Sequence, residues 1–210
     1  MEQCKKLCSR LLDEIPARIE KPKILALHAS SRKTSNTLSL WSMIKDNIIG
    51  TDCSIEELNV ENGTIHDCIG CSFTTCIHYS KQNSCFYGGF MVKEIVPAIE
   101  KADAIVMICP NYNDAVSANL TAVINRTTAL YRKMSFHEKY LFSIIVSGNS
   151  GGDSVARQLL CALNINKGFT LPAYSTIMAT ANDPGSIKKI PNIERLAFNY
   201  SQSLIQQIKK

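Results

Sequence analysis

The sequence predicts an α/β fold: a doubly wound parallel sheet of five strands with helices on both faces. Three observations carry this expectation. Continuous apolar runs at residues 23–28, 102–108 and 140–146 have the length and composition of strands buried on both sides. Helix-length amphipathic stretches at 37–49, 115–133 and 154–163 separate or follow them. Each apolar run also ends in a loop of small, hydroxylated or glycine residues, and right-handed crossovers gather such loops at one edge of a sheet.

Taken in order, residues 2–19 form an amphipathic pattern with Leu7, Leu11, Leu12 and Ile15 on one side, ended or bent by Pro16. We read residues 1–22 as an N-terminal helical extension and 23–210 as the domain. Cys4 and Cys8 share a helix face in the extension, as half-buried thiols or as ligands. The first strand, 23–28, stops at Ala29, Ser30 and Ser31, followed by Arg32 and Lys33. Ser35 and Asn36 are good N-cap residues for the helix behind them. Hydroxyls at Ser30, Ser31, Thr34, Ser35 and Thr37, the Arg32 guanidinium and a helix N-terminus suit a phosphate monoester. The loop is neither a Walker loop nor a GxGxxG fingerprint. By itself it also reads as a Ser-rich surface loop.

Residues 53–59 alternate Ile55 and Leu58 with polar side chains, as a strand near the sheet edge does. A Cys-rich loop, 60–90, follows with no clear period and contains Cys68, Cys71, Cys76 and Cys85 in the spacing C-x2-C-x4-C-x8-C. Four thiolates suit a cluster or a zinc ion, while free thiols lining a cap are the alternative. His66 and His78 flank the set. Residues 91–100 form a short helix with Val92, Ile95, Val96 and Ile99 on one face.

The central strand, 102–108, ends at Cys109 and Pro110 and opens into Asn111-Tyr112-Asn113-Asp114, a turn in its own right. The strand at 140–146 opens into Ser147-Gly148-Asn149-Ser150-Gly151-Gly152-Asp153. Glycines there let backbone N–H groups approach a flat ring edge, and donors at that edge stabilise negative charge. A ligand-free flexible turn is the other reading. Residues 169–178 supply the last strand, and 193–208 a helix with Leu196, Tyr200, Leu204 and Ile208 on its stripe.

Ser30, Arg32, Ser35, Asn36 and Thr37 fall on the pattern G-S-P-R-x-x-S-N-T, so the chain resembles the NAD(P)H-dependent FMN reductases and iron-sulfur flavoproteins of the flavodoxin-like superfamily. Ala29 replaces the glycine of that pattern and Ser31 the proline. Pro110, Tyr112, Ser117, Ala118, Leu120 and Arg126 keep a second pattern, P-V-Y-W/N followed by S-A-x-L-K-x-x-x-D-R, while Asn111, Thr121 and Asn125 depart from it. The resemblance implies a flavodoxin-like strand order, 2-1-3-4-5, with FMN at the switch point. It places the FMN phosphate in the first loop and the isoalloxazine ring along Pro110, Asn111, Tyr112 and Asn113, with Ser147, Gly148, Gly151 and Gly152 at the ring edge.

The implied activity is NAD(P)H-dependent flavin oxidoreduction, with NAD(P)H as co-substrate and no catalytic side chain beyond the flavin contacts. The acceptor is a small molecule or a redox partner protein. The alternative is an iron-sulfur electron carrier with a [4Fe-4S] cluster on Cys68, Cys71, Cys76 and Cys85. There the spacing departs from the family's shorter C-x2-C-x2-C. A flavodoxin-like interaction module without a cofactor is the non-redox reading. Family members are commonly homodimers or homotetramers, and the same assembly is expected here.

Composition is that of a globular domain, with 45% hydrophobic and 20% charged residues. No apolar run approaches the ~18 residues that span a bilayer, so no membrane role is expected. The net charge of +5 is dispersed in short pairs without a basic stripe, which argues against nucleic acid. The N-terminus lacks a secretory apolar core, and nine cysteines, an odd count, fit thiols in a reducing compartment. Cytoplasmic location is the expectation.

Overall fold

The computed structural model describes residues 5, 19–30 and 32–209. The helix expected over 2–19, with Cys4 and Cys8, falls almost entirely outside them, as does Ser31.

Five strands form one parallel sheet in the order β2-β1-β3-β4-β5, as expected. They are β1 (Lys23–His28), β2 (Ser54–Asn59), β3 (Ala104–Pro110), β4 (Tyr140–Ser147) and β5 (Thr176–Thr180). Among the described residues six α-helices flank them: α1 (Asn36–Asp46), α2 (Phe73–Lys81), α3 (Val96–Lys101), α4 (Ala118–Tyr131), α5 (Gly152–Leu159) and α6 (Ile193–Ile208).

Alternation along the central strands explains the two cores. Leu25 and Leu27 of β1, Ile105 and Met107 of β3, and Leu141 and Ile145 of β4 pack with α3, α4 and α5 on one side. Ile24, Ala26, Val106, Ile108, Phe142 and Ile144 pack with α1 and α6 on the other. Both faces are covered, so these strands read as unbroken apolar runs. On α6 the buried stripe is Ile193, Ala197, Tyr200, Leu204 and Ile208, whereas Leu196 is exposed. Tyr200 sets this rotation, because its hydroxyl reaches the carbonyls of Ser143 (3.0 Å) and Ser175 (3.1 Å) in the sheet.

Three expectations need correction. The Cys-rich stretch is not wholly irregular: Ser72 caps α2 by accepting from the Thr75 N–H, and the helix escapes periodicity because Ser80 is its one buried residue. Residues 91–100 are a π turn, Met91–Ile95, leading into α3, where Pro97 sits in the first turn with no N–H to offer. The last strand starts at Thr176 rather than 169, since Pro172 lacks a donor and Tyr174 has a φ of 55°. Phe169 instead fills the core, stacked on Phe136 at 4.4 Å between ring centroids.

Candidate functional site

The first wall of the site is the turn from β1 into α1. Ser35 N–H donates to the Arg32 carbonyl (3.1 Å), which closes the turn, and Ser35 Oγ accepts from Leu38 N–H (3.3 Å), which starts the helix. The N–H groups of Asn36 and Thr37 open the helix and have no acceptor within it. No acidic residue occupies this first turn, and Arg32 stands exposed beside it. Helix pole and guanidinium therefore add to one positive field that suits a phosphate.

Asn36 has a second task. Its carboxamide donates to the carbonyls of Ala181 (3.0 Å) and Asp183 (2.8 Å) and reaches Ser186 Oγ (3.3 Å), clasping α1 to the segment after β5. Its side chain is thus occupied by the fold, and what it offers a ligand is backbone.

A polar network supports the loop from below. His28, at the end of β1, is buried; its Nδ1 accepts from Ser30 N–H (3.4 Å), and Nε2 lies 3.5 Å from Glu57 Oε1. Glu57 Oε2 accepts from Trp41 Nε1 (3.0 Å) and Lys45 Nζ (2.9 Å). Burial holds the His28 pKa below its ordinary value despite the attraction of Glu57. Burial raises that of Glu57, but the Trp41 and Lys45 bonds outweigh it and keep the carboxyl below its usual range.

The second wall follows β3. Tyr112 and Ala115 pair across Asn113 (φ 53°) and Asp114 (φ 56°), two successive left-handed residues that form the tight turn favoured by Asn and Asp. The half-exposed Tyr112 ring stands at its base. Asn111 Nδ2 faces Ser150 O (2.6 Å), Asp114 Oδ1 (3.1 Å) and Ser147 Oγ (3.4 Å), locking this wall to the third, which follows β4. In that loop Gly151 has φ 78°, and a Cβ there would fall 1.6 Å from Asp114 Oδ1.

The three walls enclose a cleft of about 280 Å³ at the C-terminal edge of the sheet. Of the residues named from sequence, Ser30, Arg32, Ser35, Asn36, Thr37, Pro110, Asn111, Tyr112 and Gly148 line it together. Asn113, Ser147, Gly151 and Gly152 do not. Asn113 is in the turn tip, and Gly151 faces Asp114 and Asn111. Ser147 and Gly152 face each other, with a Cβ on Gly152 falling 2.9 Å from Ser147 Oγ, and line a separate cavity of about 470 Å³ with Met178 and Ile193. Sequence reasoning missed Val146, Ala181, Asn182 and Pro184. The signal was present: Asn182-Asp183-Pro184 is a turn following the fifth strand at the same edge.

The cleft suits FMN on its own terms. It pairs a phosphate-favouring helix start with a tyrosine wall and contains Gly148, where a Cβ would fall 2.9 Å from Asn182 Oδ1. Asn111 Oδ1 is also a buried acceptor without a partner among the described residues. A cluster is different. Cys68, Cys71, Cys76 and Cys85 line one cavity of about 260 Å³. Even so, no three His, Cys, Asp or Glu side chains among the described residues form a group able to hold a metal ion, so this arrangement does not fit a [4Fe-4S] cluster. No described helix is long and apolar enough to cross a membrane.

The sequence model of the family described as NADPH-dependent FMN reductase matches residues 22–183. No curated protein matches the chain. Several solved structures are similar to it. An NAD(P)H:quinone oxidoreductase from Methanothermobacter marburgensis is 14% identical with a TM-score of 0.61, over 88% of this chain and 99% of its own. An NADH:FMN oxidoreductase in its apo form is 14% identical with a TM-score of 0.60, over 89% of each chain. An FMN-dependent NADH-azoreductase from Bacillus anthracis str. Ames Ancestor, in complex with FMN, is 11% identical with a TM-score of 0.56, over 87% of this chain and 99% of its own. At these identities the likeness is one of fold, the flavodoxin-like α/β sheet.

Proposed function

Because the chain belongs to the NADPH-dependent FMN reductase family, we propose that the cleft between the loops after β1, β3 and β4 holds FMN and works with NAD(P)H. Arg32, the N–H groups of Asn36 and Thr37, and the hydroxyls of Ser30, Ser35 and Thr37 take the terminal phosphate. Pro110 and Tyr112 pack along the ring, and Gly148 lets the main chain approach its edge. Asn111, with its amide N–H bonds fixed by Ser147 and Ser150, turns its free Oδ1 to a ring N–H. FMN, once bound, supplies hydride acceptance at N5 and two-electron delivery to an acceptor.

The protein groups position and exclude water; none has to move a proton in the first half-reaction. The observation that carries this reading is the convergence of the phosphate-favouring helix start and the unpartnered Asn111 acceptor in one cleft. The acceptor is a small molecule or a partner protein, and the names of the similar structures make a quinone and an azo dye the first to try. The test is equilibrium dialysis with FMN, followed by anaerobic NADPH titration of the complex. Stoichiometric binding and bleaching of the flavin band are expected. A chain that leaves FMN free in the dialysate overturns the proposal.

A further inference from the structure

The cysteine-lined cavity shares no lining residue with the cleft. Arg126 in its wall is about 12 Å along α4 from the start of that helix. Its character is unusual in two respects. Its surroundings are aromatic and apolar, with Ile69, Phe73, Phe86 and Tyr87 all large, exposed and grouped around one opening. Soluble surfaces rarely gather such side chains without a ligand or partner.

The same wall is cationic without matching acid. Arg126 is 2% exposed, and its guanidinium donates to Gly88 O (2.8 Å), His66 O (3.4 Å) and Cys85 Sγ (3.4 Å), all uncharged as carbonyls or thiol. Among the described residues, two of its five N–H groups have no acceptor. Arg132, six residues on, lies over the Phe73 ring at 4.7 Å. Behind them the buried Lys167 ammonium bonds Thr128 Oγ1 (3.2 Å). Among the described residues none of these three cations has a carboxylate within salt-bridge distance. Asp67, the nearby acid, instead accepts from Asn125 Nδ2 (2.9 Å) and Cys68 N–H (2.7 Å). A buried cation without a counter-charge carries a desolvation penalty that an arriving anion relieves.

We propose that this cavity is a second ligand site, selective for a small aromatic anion such as an arene carboxylate or sulfonate. The ring lies among Phe73, Tyr79 and Phe86, and the acid group pairs with Arg132 at the exposed end, while Arg126 adds positive potential from the buried end. The volume of about 260 Å³ is enough for a one- or two-ring ligand. The proposal does not rest on the flavin reading.

The test uses naphthalene-1-sulfonate and its neutral analogue naphthalene-1-sulfonamide, with binding measured by calorimetry on the purified full chain in saturating FMN. The sulfonate is expected to bind about tenfold or more tightly than the sulfonamide, the size of one charge-assisted hydrogen bond. Arg132→Gln, at an exposed position, removes that preference. Bound sulfonate also slows iodoacetamide labelling of Cys68 and Cys85, read by mass spectrometry, while the exposed Cys161 outside the cavity labels at its usual rate. Equal affinity for the two probes, displacement by FMN, or equal shielding of Cys161 overturns the proposal. So does iron with acid-labile sulfide held by these cysteines.

Discussion

Replacing Gly151 by alanine tests how the second and third walls of the cleft are joined. Two costs add. At φ 78° an L side chain pays left-handed strain of about 1–2 kcal/mol. The new methyl also falls 1.6 Å from Asp114 Oδ1 and 3.0 Å from Asn111 Nδ2, so the carboxylate swings out and its 3.1 Å bond to Asn111 is lost, about 1 kcal/mol more. Gly168 is the internal control, because its φ is 81° and its Cβ would meet nothing within 4 Å. Gly168→Ala therefore carries the strain alone. Urea unfolding is expected to show Gly151→Ala losing about 2–3 kcal/mol and Gly168→Ala about 1 kcal/mol less than that. Gly151→Ala is also expected to weaken FMN in equilibrium dialysis, since Asn111 loses one of its three partners, and Gly168→Ala to leave FMN affinity unchanged. If the two variants unfold at the same denaturant concentration, the steric account of the Gly151 contact is wrong.

Arg32→Ala is expected to weaken FMN by about tenfold or more with little change in thermal midpoint, because the side chain is exposed and bonds nothing else described. Asn36→Ala does the reverse in origin: it orphans the clasp to Ala181 and Asp183 and costs about 2–3 kcal/mol in urea unfolding before any ligand is added. For pH, the lowered His28 value means that the unfolded chain binds the proton more readily than the folded one. Stability is therefore full above the ordinary histidine pKa of 6.5 and falls as pH drops below it, with Glu57 adding a further loss below about 4.5. His28→Gln flattens the upper part of that profile, measured as thermal midpoint against pH. Burial pushes the Cys109 thiol up to about 12, so iodoacetamide at mildly alkaline pH is expected to spare it in the folded protein and label it in denaturant.

The sheet was legible where burial is two-sided. β1, β3 and β4 show as apolar runs because both faces are covered, and β2 shows as alternation because it is an edge. α2 was invisible for the opposite reason: a helix that buries only Ser80 has no apolar stripe to detect. At the cleft, local chemistry singled out the turn proposed to take the phosphate, since its cap and hydroxyls lie within eight residues of Ser30. It did not separate Gly148, which lines the cleft, from Gly151, whose role is set by Asp114, 37 positions earlier. The double use of Asn36 was equally hidden, its partners being fixed by tertiary structure alone.

The clasp from Asn36 spans 145 positions to Ala181. Such a contact requires loop closure over most of the chain, so the turn after β1 is braced only when the final strand has docked. During synthesis, an emerging N-terminal half has the sequence for cofactor capture but lacks the brace. On the proposed reading, flavin uptake is expected to report completion of the entire fold, and a chain shortened before the last crossover is expected to lose it.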